Sequence, residues 1–274
     1  MSNSLTYERL NSLDIWDHMP TITLDQMSAV KLMNRIDTKY VISDLCLIPL
    51  LERMANMGYS VQIIDAVRAC RYKTLYYDTT DREMFRVHHN RKLTRQKLRT
   101  RTYVESGETF FEIKNKSNRG RTKKRRTTID IGAFEAFYQS EEALSLLREY
   151  SQYNSKELSP ALSTHFTRIT LINPTHSERI TIDLDLSYRD MRSGNYLAID
   201  HMAIIELKQS GNSHSTTKQL FRDMHISPLK VSKYCLGTIL TVDDIRSNRF
   251  KEKIRLINKQ LERLANTEDN KIQN

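Results

Sequence analysis

Polar and apolar residues alternate along much of the chain, and this period-two pattern predicts β-strands that have one face of each kind. In the clearest example, Lys97, Arg99 and Arg101 occupy alternate positions, with leucine and threonine between them. Two later segments repeat the alternation, and turn-forming residues separate them. The three segments are 95–104, 110–116 and 122–131, and the turns lie at Ser106-Gly107 and Asn118-Arg119-Gly120. The pattern therefore predicts an antiparallel meander with a cationic face.

Further segments have the composition or the alternation of strands, and the remainder of the chain favours helices. The additional strands are predicted at 35–41, 59–65, 70–78, 161–173, 178–188 and 201–210. Helices are predicted in 1–34 and at 44–57, 81–90, 134–140, 142–150, 214–225, 229–239 and 247–265. The eight or nine strands of this pattern fit a closed antiparallel sheet.

The ionic faces of these strands must lie either inside or outside such a sheet. If the aliphatic faces lay inside, the helices would have little apolar surface to cover, which disfavours that arrangement. If the ionic faces lie inside, the helices can pack on an aliphatic exterior. The predicted fold is therefore α+β: an antiparallel β tunnel with a polar, basic interior and a coat of helices.

Positive charge is concentrated in one part of the chain. The segment 91–126 contains 14 Lys and Arg and three acidic residues, whereas the whole chain has a net charge of +10. The charge outside this segment is therefore about −1. Seven of the eight ionisable groups on the predicted cationic faces are positive, and Glu112 is the exception. Solvated faces usually mix signs because like charges on neighbouring strands repel, so this surface predicts a polyanionic ligand.

The sequence argues against several classes of protein. No apolar run approaches the ~18 residues that a membrane-spanning helix requires, and the N-terminus lacks the basic-then-apolar order of a signal peptide. Cys46, Cys70 and Cys235 are far apart and have apolar neighbours, which predicts buried free thiols and not disulfides or metal ligands. The expected location is therefore the cytoplasm.

The side chains available for catalysis favour phosphoryl transfer. The chain has no Walker A loop, no G-x-G-x-x-G motif, no kinase motif set and no nucleophile elbow. Phosphoryl transfer needs no protein nucleophile, because cations and a metal ion can align and stabilise the reacting phosphates. Glu112 and Glu206 each stand in the pattern E-x-K, and a carboxylate on a phosphate-facing wall would suit Mg²⁺ or Mn²⁺. An ordinary ion pair would leave the same pattern, so both assignments stay open.

An ordered set of motifs in this chain resembles the VTC domain, the polyphosphate polymerase branch of the triphosphate tunnel metalloenzymes. The motifs are RIDTKYV (35–41), YKTLYYDT (72–79), RQKLRTRTY (95–103), FFEIKNKSNRGRTKKRR (110–126), ERITIDLDL (178–186), IIELK (204–208) and LKVSKYCLG (229–237). The resemblance implies a closed eight-stranded antiparallel tunnel that holds ATP, or another triphosphate, and a growing polyphosphate chain.

The resemblance also implies which residues form the site. The phosphate-binding wall would consist of Lys39, Arg99, Arg101, Lys114, Lys116, Lys124, Arg126, Arg168, Arg179 and Lys233. The catalytic residues among them would be Arg99, Arg101, Lys124, Arg126 and Lys233. Glu206 would bind Mn²⁺ or Mg²⁺, and Glu112 is the second choice, with neutralisation of neighbouring cations as its alternative role. A helix formed by 229–237 would close one end of the tunnel and present Lys233 to the terminal phosphates.

One motif departs from the wider superfamily. That superfamily has E-x-E-x-K on its first strand, whereas this chain has Arg35-x-Asp37-x-Lys39. The difference argues against the adenylate cyclase and thiamine-triphosphatase branches, and it leaves the number of metal ions open.

Three functions are compatible with these observations. The favoured one is a metal-dependent polyphosphate polymerase that uses ATP, and the alternatives are a triphosphate hydrolase and a non-catalytic polyanion binder. Nucleic acid is the less expected ligand, because the cationic faces offer mainly Tyr103 and Phe110 for base stacking. The expected organisation is an N-terminal helical segment (1–34), a tunnel domain (35–240) and a C-terminal helix with a polar tail (241–274). The resemblance further allows association with a membrane partner protein at the inner face of a membrane.

Overall fold

Eight strands lie side by side in one antiparallel sheet in the computed structural model, which describes residues 5–29, 35–119, 122–211 and 214–272. The strands are β1 (Thr21–Thr23), β2 (Arg35–Ser43), β3 (Ser60–Ile63), β4 (Ala69–Asp78), β5 (Arg95–Tyr103), β6 (Thr109–Lys116), β7 (Thr122–Ile129), β8 (Ser159–Ile172), β9 (Glu178–Asp190), β10 (Tyr196–Ile199) and β11 (Met202–Ser210). The order of the eight is β2-β11-β9-β8-β4-β5-β6-β7, and the short strands β1, β3 and β10 pair at its margins.

Backbone hydrogen bonds do not close this sheet within the described ranges, because β2 and β7 form its two edges. The antiparallel eight-stranded prediction is therefore confirmed, but closure of the tunnel is not. The composition of β7 gives a physical reason. Its four consecutive cations, residues 123–126, are all exposed, and charged side chains on an edge strand oppose pairing with another strand.

Helices cover the sheet at several places. They are α1 (Tyr7–Asn11), α2 (Leu24–Ala29), α3 (Leu47–Asn56), α4 (Glu83–His89), α5 (Glu141–Tyr150), α6 (Thr216–Asp223), α7 (Lys233–Thr241) and α8 (Asn248–Ile272). Among the helices of the described ranges, none combines the length and the apolar character that crossing a bilayer requires.

Three of the predicted helices differ from the structure. Within residues 5–29, the N-terminal segment contains only α1, a 3₁₀ turn, β1 and α2, while residues 1–4 and 30–34 lie outside the described ranges. The strand β1 replaces helix there because it pairs with β3, a contact that local periodicity cannot show. Residues 134–140 contain only a 3₁₀ turn, since Phe137 packs between Tyr77 and Phe111 at centroid distances of 4.7 and 4.5 Å.

The third difference concerns the predicted helix 229–239. The helix α7 begins only at Lys233, because the hydroxyl of Ser232 accepts a hydrogen bond from the backbone nitrogen of Cys235 and caps it. Lys230 is therefore not on the helix and lies in the preceding extended segment, where it is exposed. Lys233 is the first residue of the helix.

Aliphatic side chains lie on the outer face of the sheet and under the helices. Ile180, Ile182 and Leu184 of β9 belong to one buried cluster that also contains residues of β11, α3 and α6. A second cluster joins the outer faces of β4, β5 and β6 to α5. The alternate residues of these strands point to the other side, and on β5 and β6 most of them are ionic. The predicted arrangement, with ionic faces inward and helices on an aliphatic exterior, is therefore observed.

A third apolar cluster occupies one end of the interior. Val41 and Ile204 lie on the same strand faces as Lys39 and Glu206, and they pack with Tyr188 and with Tyr234 and Cys235 of α7. The helix α7 approaches the sheet closely here because its central residue is Gly237. Ionic side chains are thus confined to the remaining part of the interior.

We predict that Gly237→Ala lowers the stability of the protein. A methyl group at this position would overlap Cδ1 of Tyr188 and lie 2.7 Å from Cδ2 of Leu162, and both side chains are buried. Overpacking typically costs about 1–3 kcal/mol, which exceeds the gain in helix propensity of about 1 kcal/mol. Thermal unfolding followed by circular dichroism measures the difference. Leu240→Ala, at a 36% exposed position of the same helix, is the control, and an unchanged midpoint for Gly237→Ala would contradict the close packing.

Candidate active site

Strand register places the cations of the meander side by side. Arg99 of β5 lies opposite Glu112 of β6, which lies opposite Arg126 of β7. Two positions along, Lys97, Lys114 and Lys124 form the next row across the same strands. All these side chains belong to the inner face, since the alternate residues Leu98, Phe111 and Ile113 are in the outer core. The period-two pattern of the sequence thus becomes a cationic wall.

Glu112 is held at the centre of this wall. One carboxylate oxygen accepts hydrogen bonds from Nε of Arg99 at 2.6 Å and from its Nη2 at 2.5 Å. The other oxygen accepts from Nζ of Lys124 at 2.5 Å. Burial works against ionisation, but the charges of Arg99, Arg101 and Lys124 hold the pKa of Glu112 well below its usual value. The carboxylate therefore stays ionised and fixes both cations.

A second carboxylate holds two cations on the opposite part of the sheet. Asp183 of β9 accepts hydrogen bonds from Nε and Nη2 of Arg168 at 2.5 and 2.9 Å, and it also contacts Nζ of Lys233. Burial again opposes ionisation, and the two cations lower the pKa of Asp183 strongly. Lys233 lies 4.5 Å from the ring centroid of Phe166, so its ammonium is positioned by a carboxylate and by an aromatic face.

Glu206 of β11 forms the third group of this kind. Its two carboxylate oxygens accept from Nζ of Lys39 at 2.9 Å and from Nζ of Lys208 at 2.7 Å. Although burial acts to raise it, the pKa of Glu206 is well below 4.5 because of the charges of Lys208 and Lys39. Burial lowers the pKa of Lys208 to about 8 despite this partner.

The cations of the inner face outnumber its carboxylates. Six cations share Glu112, Asp183 and Glu206, and three more complete the set. Those three are Lys97, which donates to Oγ of Ser232 at 2.7 Å, Arg101, which donates to Oγ1 of Thr74 at 3.2 Å, and Lys114. Nine cations and three carboxylates give these twelve residues a net charge of +6. A polyanion is the ligand that such a surface attracts.

The two edges of the sheet face each other across this interior even though they are not paired. Lys114 of β6 has its pKa lowered by burial, raised by the charge of Glu206 and lowered by Arg99, Lys97 and Lys39. Glu206 and Lys39 belong to β11 and β2, at the other end of the strand order. Lys114 is exposed to solvent, yet charged groups from both ends of the strand order lie around it. We call this space the cavity.

Tyr76 is a cavity residue that no pattern in the sequence singled out. Its phenol accepts a 3.4 Å hydrogen bond from Nη1 of Arg99, and its ring lies 5.1 Å from that of Tyr234. Burial acts to raise the pKa of Tyr76, but the charges of Arg99, Arg101, Lys97 and Lys233 lower it to about 8. Asp183 and Lys208 were also missed as site residues. Their only signal was membership of ionic strand faces.

Most of the predicted site residues lie together in the cavity, and three of them lie elsewhere. Those that it brings together in the cavity are Lys39, Arg99, Arg101, Glu112, Lys114, Lys124, Arg168, Glu206 and Lys233. Arg126 is exposed on β7, with its guanidinium 4.3 Å from the ring centroid of Phe110. Lys116 lies at the end of β6, where Arg95 and Lys230 are its charged neighbours. Arg179 is half-buried and lies opposite Lys208 in strand register.

The carboxylates of the cavity could bind a metal ion only together with ligands that the protein does not supply. No three His, Cys, Asp or Glu side chains of the described ranges lie close enough to bind a cation together. Glu206 alone could supply one or two oxygens, and phosphate oxygens and water would have to complete the shell, which is the usual coordination of Mg²⁺. The residues therefore fit a metal that arrives with its substrate.

Comparison with known proteins shows the family of this chain. A family model for the VTC domain matches residues 34–242. The chain belongs to the VTC domain family. No curated protein matches its sequence.

Several solved structures are similar to this VTC domain. A proposed adenylyl cyclase from Hippeastrum, described as having a dominant triphosphatase activity, is 12% identical and has a TM-score of 0.50; the match covers 77% of this chain and 98% of that one. A proposed adenylate cyclase from Bacillus halodurans is 14% identical with a TM-score of 0.49, covering 73% of this chain and 96% of that one. At 12% identity, the similarity to the Hippeastrum protein indicates a shared fold.

We predict that the affinity of the VTC domain for tripolyphosphate falls as pH rises through about 8, where burial has placed the pKa values of Lys208 and Lys233. Above this pH both lysines lose their positive charge, and ionised Tyr76 adds a negative one. Isothermal titration calorimetry on either side of pH 8 measures the decline.

An arginine at position 233 keeps its positive charge above pH 8. The affinity of Lys233→Arg for tripolyphosphate should therefore decline less steeply with pH than that of the wild type. Lys73→Arg is the matched control, because Lys73 is exposed on the outer face of β4. Identical declines for wild type and Lys233→Arg would mean that Lys233 does not contribute to the pH dependence.

Proposed function

We propose that this VTC domain is a metal-dependent phosphotransferase that adds the terminal phosphoryl group of ATP to polyphosphate. The observation that supports this most is the cavity itself, where nine cations share three ionised carboxylates. Phosphoryl transfer depends on alignment and charge stabilisation, and such a cavity supplies both without a protein nucleophile.

In this proposal, the three carboxylates and the phosphates of a substrate bind the same cations. Without substrate, Glu112, Asp183 and Glu206 hold six cations in place and limit their mutual repulsion. With substrate, phosphate oxygens can take the remaining donor positions of these cations. Because the cations are already fixed, little reorganisation is needed when charge develops on the transferring group.

Individual cations take different roles in this proposal. Arg99 and Arg101 present planar guanidiniums that can contact two phosphate oxygens at once, while Lys124 and Arg126 neutralise charge from the opposite strand. Lys233 acts as a point charge on the transferring group, since it stands at the start of α7 where the apolar end of the interior begins. Lys39, Lys114, Arg168 and Arg179 bind the rest of the chain, and Lys116 binds it at the end of β6.

Glu206 is the proposed ligand for Mn²⁺ or Mg²⁺, and Glu112 is the second choice. Glu206 is preferred because its two partners are lysines, whose flexible side chains can turn away from the carboxylate. Glu112 is bound by the fork of Arg99 and fits a structural role better. A bound divalent ion would neutralise phosphate charge and orient the phosphates.

Hydrolysis of a triphosphate is the second candidate, because the Hippeastrum protein that shares the fold is described as a triphosphatase. The two reactions differ only in whether water or a phosphate chain accepts the phosphoryl group. By resemblance to its family, the domain is also proposed to act at the cytoplasmic face of a membrane through a partner protein.

We predict that Glu206→Gln abolishes most metal-dependent activity while the protein remains folded. The amide keeps the shape of the side chain but loses the charge that a divalent ion requires. Thermal shift with tripolyphosphate, with and without Mn²⁺, provides a readout apart from turnover: the extra stabilisation by Mn²⁺ should disappear. Glu105→Gln makes the same change at the Arg71 ion pair and is the control. Wild-type Mn²⁺ stabilisation in Glu206→Gln would refute the assignment.

We predict that incubation with ATP and Mn²⁺ gives long polyphosphate on a chain-length gel and little free phosphate in a malachite-green assay. The reverse ratio would identify a hydrolase.

Lys233→Ala should lower turnover at saturating ATP by more than tenfold, about 1.4 kcal/mol or more of transition-state stabilisation. Lys73→Ala is the control for loss of one positive charge. A Lys233→Ala enzyme with nearly wild-type turnover would exclude the proposed role of Lys233.

A further inference from the structure

Three consecutive side chains attach the start of α7 to three different strands of the sheet. The pairs are Ser232 with Lys97 of β5, Lys233 with Asp183 of β9, and Tyr234 with Asp78 of β4. These strands lie within four neighbouring positions of the sheet, in the order β9-β8-β4-β5. The first two pairs contain cations of the cavity. The third pair contains none, so it does not hold a cavity charge directly.

Asp78, the acceptor in the third pair, is fully buried and is also bound by α4. Its Oδ1 accepts a hydrogen bond from the backbone nitrogen of Met84 at 2.9 Å, and its Oδ2 accepts one from that of Phe85 at 3.0 Å. These are the second and third residues of α4, so Asp78 caps the N-terminus of this helix. The carboxylate is therefore a rigid acceptor for the phenol of Tyr234.

Tyr234 is the donor in this bond and lies behind the surface of the cavity. Burial and the charge of Asp78 hold the pKa of Tyr234 well above its usual value, so the phenol keeps its proton. Its ring lies 5.1 Å from that of Tyr76, a cavity residue. Tyr234 itself is only 2% exposed, which leaves little surface for contact with a ligand.

We propose that Tyr234 is a positioning residue, which sets the place of Lys233 through its bond to Asp78. The inference rests on the proposed function, in which Lys233 stabilises the transferring phosphoryl group. Consecutive residues of a helix project about 100° apart, so the two bonds made by Lys233 and Tyr234 fix the rotation of the helix start as well as its distance from the sheet. A shift of about 1 Å in a catalytic group can lower the rate by about 100-fold.

A double-mutant cycle tests this role. Tyr234→Phe removes only the hydroxyl group, and it should lower turnover with ATP and Mn²⁺ about tenfold. In the Lys233→Ala background the same change should have no further effect, because the group that it positions is already absent. The affinity for tripolyphosphate, measured by calorimetry, should follow the same pattern with a smaller single effect of about threefold.

Tyr77→Phe is the matched control. Tyr77 precedes Asp78 on β4, is 1% exposed, and donates a 2.8 Å hydrogen bond to the carbonyl oxygen of Phe134 in the outer core. Both variants lose one buried hydrogen bond, so both should unfold at a lower temperature than the wild type. Turnover per folded molecule should fall only in Tyr234→Phe.

Two results would overturn the positioning role. One is wild-type turnover and affinity in Tyr234→Phe, and the other is an equal loss from this change in the wild-type and Lys233→Ala backgrounds, as a purely structural role would give. If the wild type bound tripolyphosphate but did not turn over ATP, the proposed reaction would fail, and the affinity cycle would decide the role of Tyr234. If the wild type bound no tripolyphosphate, the proposed function and this inference would fail together.

Discussion

Repulsion between like charges on the inner face of the sheet is the constraint on which the rest of the structure depends. Without counter-charges, the adjacent rows of Lys and Arg would destabilise the strand pairing that creates them. Glu112, Asp183 and Glu206 reduce this repulsion, and each binds two cations from different positions of the fold. The remaining excess of positive charge favours a polyanion as the ligand. In the proposed function, stability and ligand binding therefore use the same side chains.

The helices are arranged as this constraint requires. Because much of the interior is ionic, most of the apolar core must form outside the sheet, and α3, α5 and α6 supply its other side. The exception is α7, which packs with Tyr188 and Val41 on the inner side. Its first residue, Lys233, is thereby placed between an apolar surface and the carboxylate of Asp183, where burial lowers its pKa to about 8.

The unpaired edges of the sheet have a related explanation. Pairing of β2 with β7 would place further cations beside Lys39, and the exposed charges of β7 oppose it. The two edges nevertheless interact electrostatically across the cavity, since the charges of Glu206 and Lys39 affect the pKa of Lys114. Within the described ranges, no backbone hydrogen bonds join β2 to β7 along this seam. This differs from a fully hydrogen-bonded tunnel, although the strand number and direction agree with it.

The sequence by itself determined the eight strands of the main sheet and the ionic faces among them, because period-two alternation depends only on local backbone geometry. The cations at 97, 99 and 101, and Glu112 among them, could be assigned to one surface in this way. Only the tertiary structure decided that Asp183 joins Arg168 to Lys233, residues 15 and 50 positions away in the chain. It also decided that β1 pairs with β3, that α7 starts at Lys233, and that β2 and β7 stay apart. These features arise from contacts between distant segments, whose energies leave no periodic trace in either segment alone.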